Sequence, residues 1–156
     1  MTTTLKCLLT VVLSGATAMA GAVELGTADE CIALVKKAIV FAKANGRDKI
    51  IAEINSKSPN FRVKDLYLFM STSTDGAVLA HGANTKLVGR ELGDLRDVDG
   101  VFFARKFRDV INSKEGKGWV DYKWPNSASG QIEPKSTYLE RADDVYYACG
   151  IKPVAK

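Results

Sequence analysis

Residues 66–81 read LYLFMSTSTDGAVLAH, and the organisation of the chain is clearest from here outward. The run 66–71 is rich in β-formers. Thr74-Asp75-Gly76 is a hairpin turn signal, and 78–81 reads as the returning strand. Downstream, three further segments read as strands: 118–124, 135–141 and 145–151. They are separated by turn residues at 126–130 and at Asp143-Asp144. Upstream the periodicity is helical. Thr27-Ala28-Asp29-Glu30 is a capping box, in which the Thr27 hydroxyl and the Glu30 carboxylate each accept from the other's amide. Apolar residues at Ile32, Leu34, Val35, Ala38, Ile39 and Ala42 follow at helical spacing, and Asn45-Gly46 supplies a stop. A second short helix fits 47–55, and a third fits 100–112 with Phe103, Phe107, Val110 and Ile111 on one side. Between them, 82–99 reads as a loop. Helix, helix, two strands, helix and three strands joined by short turns predict an α+β fold: a five-stranded antiparallel sheet with a long N-terminal helix laid against it.

The chain of 156 residues suits one domain after any targeting segment is removed. Its first residues resemble such a segment. Lys6 is the only charge before Glu24, residues 7–13 form a short apolar run, and Ala18-Met19-Ala20 fits an A-x-A cleavage pattern. The run is too short for a membrane span of ~20 residues. The expected division is a signal peptide at 1–20 (or cleavage after Ala22) and one domain at 21–156, working in the periplasm. Export gives the remaining pair Cys31 and Cys149 an oxidising compartment, so they are either a disulfide or two buried thiols, the disulfide being favoured. The formal charge is +4, and the basic residues are interspersed rather than gathered on one stripe, which argues against a nucleic-acid partner.

Enzyme signals are poor. His81 is the sole histidine, and no nucleophile and acid stand near it in the pattern of a triad. No phosphate loop, zinc-protease or dinucleotide motif occurs, so no cofactor is implied. Asp94, Asp97 and Asp99 lack the spacing and terminal Glu of a calcium loop and read as a solvated turn, with no metal site implied. The suggestive cluster is late. Trp119, Tyr122, Trp124 and Tyr138 put four large aromatics on neighbouring strands, and Lys135 adds a positive charge. Apolar walls with a few placed donors suit a small anion, although such residues are also ordinary core. Alternation places Val120, Tyr122 and Trp124 on one face and Trp119 on the other. It also separates Lys135 from Tyr138, unless a bulge intervenes.

These same residues carry a resemblance. Asp75-Gly76-Ala77-Val78-Leu79-Ala80-His81 resembles the D-G-x-V-L-A-H hairpin of the single Cache domain, type 2. Leu87-Val88-Gly89-Arg90, the Asp94-Leu95 to Gly100 stretch, Gly118-Trp119-Val120-Asp121-Tyr122-Lys123-Trp124-Pro125 and Pro134-Lys135-Ser136-Thr137-Tyr138-Leu139-Glu140-Arg141 follow in the family's order and spacing. The resemblance implies a PAS-like sheet behind a long helix. It implies extracytoplasmic sensing of a short carboxylate of the acetate, propionate, pyruvate or lactate class, with the ligand between the sheet and its connecting loops. His81, Trp119, Tyr122, Trp124, Lys135 and Tyr138 are then the candidate pocket residues. Lys135 and Tyr138 are expected on the carboxylate, and His81 either donates a hydrogen bond or closes the hairpin. The sequence shows no membrane span or signalling module, so a receptor or sensor kinase is the expected partner. The alternative is a ligand-free interaction protein that dimerises through the N-terminal helix.

Overall fold

A computed structural model describes residues 24–127 and 129–153; the leader-like segment lies outside the described residues. Helix α1 spans Ala28–Asn45 and α2 Arg47–Asn55. The strands are β1 (Arg62–Val63), β2 (Leu66–Thr72), β3 (Val78–His81), β4 (Lys117–Pro125), β5 (Ile132–Ala142) and β6 (Val145–Ile151), and α3 (Phe103–Ile111) precedes β4. The sheet is antiparallel and has six strands, not five. The extra strand is the two-residue β1, too short to leave a periodic signal. Strand β6 lies between β2 and β5, and β4 is the far edge. The other edge of β2 is shared by β1 and β3, which pair with successive parts of it.

The capping box at α1 forms as its sequence requires: Glu30 N donates to Thr27 Oγ1 at 3.2 Å, and Thr27 N donates to Glu30 Oε2 at 2.9 Å. Leu34, Val35 and Ala38 of α1, with Ile50 and Ile54 of α2, bury one sheet face. There they pack with Leu66, Leu68, Met70, Tyr138, Tyr147 and Cys149. Cys31 and Cys149 meet in this layer as buried free thiols. A hydrogen bond between them, and then burial, push the Cys149 thiol well above its ordinary pKa.

The opposite face belongs to α3. Phe103, Phe107 and Ile111 pack on Phe69, Val120, Tyr122, Leu139, Tyr146 and Ala148. Strand β2 is buried on both sides, so its side chains sort by parity: aliphatic Leu66, Leu68 and Met70 toward α1, and Tyr67, Phe69 and Ser71 toward α3. Strand β5 starts at Ile132, three residues before the expected Lys135. Pro134 is tolerated there because β6 reaches only as far as Ser136, which leaves that part of β5 paired on the β4 side alone.

Candidate functional site

The α3 face of the sheet is not filled completely. A cavity lies between Tyr67, Phe69, His81, Tyr122 and Lys135 on the strands, Phe103, Phe107 and Arg108 on α3, and Leu87, Leu92 and Gly93 in the loop that follows β3. Its volume is about 40 Å³, room for about three water molecules at roughly 10–15 Å³ each.

Its walls are aromatic. Phe103 stacks on Tyr122 with centroids 4.4 Å apart, and meets Trp124 edge-on at 5.6 Å. Phe107 lies 5.5 Å from Tyr122 and 6.2 Å from Phe69. These contacts hold α3 at a fixed height above the strands. The loop is fastened on the other side. Val78 N donates to Arg90 O, and Gly89 N to Val78 O. Arg108 of α3 donates to Gly93 O at 2.9 Å. Gly93 has to be glycine, because a Cβ there would lie 2.9 Å from Asp75 O in the hairpin turn. Asp97 latches the same loop: Oδ1 accepts from Asp99 N and Val101 N, and Oδ2 accepts from Lys123 N on β4.

Lys135 supplies the charge. Its register partner is Tyr122, and its chain crosses β6 at Gly150 to donate from Nζ to Tyr67 Oη on β2. Nζ also stands 4.4 Å from the centre of the Tyr67 ring, a cation–π arrangement. Gly150 makes this path possible, since a Cβ on it would lie 2.1 Å from Lys135 Cε and 2.8 Å from Thr137 Oγ1. Burial works against the charge on Lys135, but the facing Tyr67 and Tyr122 phenols outweigh it and the amine is held above its ordinary pKa. No carboxylate among the described residues comes within ion-pair distance of it.

His81 is buried and nearly parallel to Phe69. Burial, and then the nearby Lys135 charge, push its pKa down to about 4, so the ring is neutral at physiological pH. Nδ1 accepts from Asn84 N at 2.9 Å and Ala83 N at 3.3 Å. The ring proton therefore resides on Nε2, and no protein acceptor for it occurs among the described residues. One nitrogen closes the turn after β3, which is not the Thr74-Asp75-Gly76 hairpin, and the other keeps a donor without a protein acceptor among the described residues. Tyr122 shares a hydrogen bond with Thr137 Oγ1 at 2.9 Å.

Of the residues selected from sequence, His81, Tyr122, Trp124 and Lys135 meet at this cavity. Trp119 and Tyr138 do not. They pair with each other across β4 and β5 on the α1 face, their rings 5.4 Å apart, and Tyr138 donates to Glu140 at 2.7 Å. The β4–β5 register runs without a break from Lys117↔Glu140 to Pro125↔Ile132, so no bulge brings Tyr138 round to Lys135. Tyr67, not Tyr138, stands beside Lys135. Its signal was present in the alternation of aromatic and aliphatic residues along β2, but register to Lys135 across two strands is not written in sequence. Arg108 reaches the cavity from α3, whose packing on the sheet is likewise not written in sequence.

Comparison with known proteins accords with this fold. The family model described as "Single Cache domain 2" matches residues 2–145. No curated protein sequence matches the chain. Among solved structures, a periplasmic sensor domain of a chemotaxis protein superposes with a TM-score of 0.64 at 18% identity, over 81% of this chain and 90% of that one. A methyl-accepting chemotaxis protein from Vibrio parahaemolyticus gives 0.68 at 21% identity, over 80% and 86%. A Cache chemosensory domain described for its carboxylic acid recognition gives 0.66 at 18% identity, over 81% and 92%. At these identities the likeness is one of fold.

Proposed function

The chain belongs to the single Cache domain 2 family, and from that premise we propose that it is a non-enzymatic binding domain for a short carboxylate, working outside the cytoplasm. One observation carries the reading: the Lys135 ammonium borders an aromatic cavity and has no protein carboxylate to neutralise it. A half-buried ammonium held only by a phenol and a ring face keeps an unmatched charge, and an anionic ligand supplies the counter-ion. The carboxylate is assigned to Lys135 Nζ and Tyr67 Oη, with His81 Nε2–H as a third donor. The hydrocarbon end faces Phe69, Phe103 and Phe107. A cavity of about 40 Å³ favours the small end of the acetate, propionate, pyruvate or lactate class.

Placement outside the cytoplasm rests on the leader-like first twenty residues. No helix among the described residues is long and apolar enough to cross a membrane. A membrane receptor or sensor kinase is proposed as the partner that carries the signal onward.

The test is a thermal shift with C2–C4 carboxylates on protein unfolded and refolded to strip carried-over ligand. A ligand at a hundred times its dissociation constant stabilises by about 2.7 kcal/mol, a rise of several degrees for this size. Lys135→Met, which keeps length and removes charge, is expected to abolish the rise. A flat response from cooperatively folded protein to every acid tried would refute the reading.

A further inference from the structure

Beyond Lys135 the cavity adjoins a second, more open groove of about 450 Å³, and Tyr67, Trp124 and Lys135 line both. The groove carries four cations, Arg62, Lys64, Lys135 and Lys152, against two carboxylates, Asp65 and Glu133. Two of the cations are already neutralised. Lys64 pairs with Glu24 at 2.9 Å and Glu30 at 3.0 Å, and Lys152 with Glu133 at 2.7 Å. Asp65 accepts from Gly26 N at 2.6 Å. Arg62 and Lys135 have no ion-pair partner among the described residues.

These two unmatched cations flank one side chain. Arg62 is the register partner of Tyr67 across β1 and β2, so it stands on the same face of the sheet. Lys135 reaches Tyr67 from the other side, over Gly150. Arg62 is half-buried and holds its orientation through a 3.3 Å hydrogen bond from Nη1 to Gly82 O, which leaves its other guanidinium donors for a ligand. Neighbouring strands are ~4.8 Å apart, so the charges are separated by about one to two strand spacings, ~5–10 Å. A dicarboxylate of about four or five carbons in all spans that gap.

We propose that cavity and groove form one site for a short dicarboxylate, with one carboxylate on Lys135 and Tyr67 and the other on Arg62. The proposal rests on the reading of Lys135 as a carboxylate anchor and names the ligand more narrowly. Lys135, lying over Gly150, borders both compartments, and the outer one admits a second charge that the aromatic inner one would reject.

The experiment is calorimetric titration of the refolded full chain with acids matched in carbon count: succinate against butyrate, and glutarate against pentanoate. The expected result is a diacid at least tenfold tighter than its monoacid. Arg62→Met is expected to erase that ratio while leaving monoacid affinity unchanged, and Lys135→Met to weaken both. Unchanged monoacid binding also shows that the Arg62 variant is folded, and Arg62→Gln replaces it if the first variant aggregates. Diacids no tighter than monoacids, or an Arg62 variant that weakens both equally, would overturn the proposal and leave the carboxylate-binding reading standing. Failure of every acid to bind folded protein would remove both.

Discussion

Gly150→Ala is the sharpest probe of the site, because it adds one methyl group on a neighbouring strand and displaces Lys135 without altering the chemistry of any proposed ligand donor. The new Cβ would lie 2.1 Å from Lys135 Cε and 2.8 Å from Thr137 Oγ1. The lysine is the far end of a flexible chain and swings away, which withdraws Nζ from Tyr67. Thr137 is fully buried and tied to Tyr122, so it yields less easily. Overpacking costs about 1–3 kcal/mol, and replacing glycine in a strand returns about 0.5–1 kcal/mol. The net is a loss of about 1–2 kcal/mol, a fall in Tm of roughly 3–6 °C. The effect on binding is larger relative to its baseline. A hydrogen bond to a charged group contributes about 1.5–3 kcal/mol, so displacing Lys135 weakens carboxylate affinity by about ten- to a hundredfold. Paired thermal melts and titrations on Gly150→Ala and Lys135→Met check this. The two variants are expected to lose similar affinity, and only the glycine variant to lose appreciable stability. A Gly150→Ala protein that binds as tightly as the parent would refute the argument that the path over Gly150 positions the ammonium.

Other outcomes follow from the same geometry. With its pKa lowered to about 4 by burial and by Lys135, against about 6.5 unfolded, His81 makes the unfolded chain bind more protons between those values. Stability is then full above pH 6.5 and falls progressively toward pH 4, by about 3 kcal/mol at most; His81→Phe is expected to flatten that part of the curve in pH-dependent urea melts. Desolvation opposes ionisation of Asp97, but hydrogen bonds from the Lys123, Val101 and Asp99 amides outweigh it and hold its carboxyl below the ordinary range. The latch is therefore present above about pH 4 and lost as pH falls through the lowered value. Amide exchange over residues 93–102 should accelerate there and in Asp97→Ala, and unchanged exchange in both would remove the latch. Cys31 and Cys149 are expected to bridge after oxidative refolding, seen as a mass loss of two hydrogens and a Tm that falls on reduction; thiols that stay alkylatable in the unfolded, oxidised protein would show that no bridge forms.

Much of the architecture follows from local chemistry alone. The capping box at Thr27 and Glu30, the Asn45-Gly46 stop and the Thr74-Asp75-Gly76 hairpin depend on near neighbours and short-range backbone preference, and residue order suffices to place them. The parity of β4 is equally local, so Trp119 could be separated from Tyr122 and Trp124 before any partner strand was known. The site itself is not local. Lys135 meets Tyr67, 68 residues earlier, only because β6 inserts between β2 and β5 and presents a glycine at the crossing. The same two-residue period that sets Lys135 toward α3 sets Tyr138 toward α1, and pairing without a bulge keeps them apart. Sequence by itself determined which residues carry charge and aromatic surface and which strand face each takes. Only the tertiary structure decided which faces meet across the sheet, because strand order and register arise from the simultaneous burial of both faces rather than from any one segment's preference.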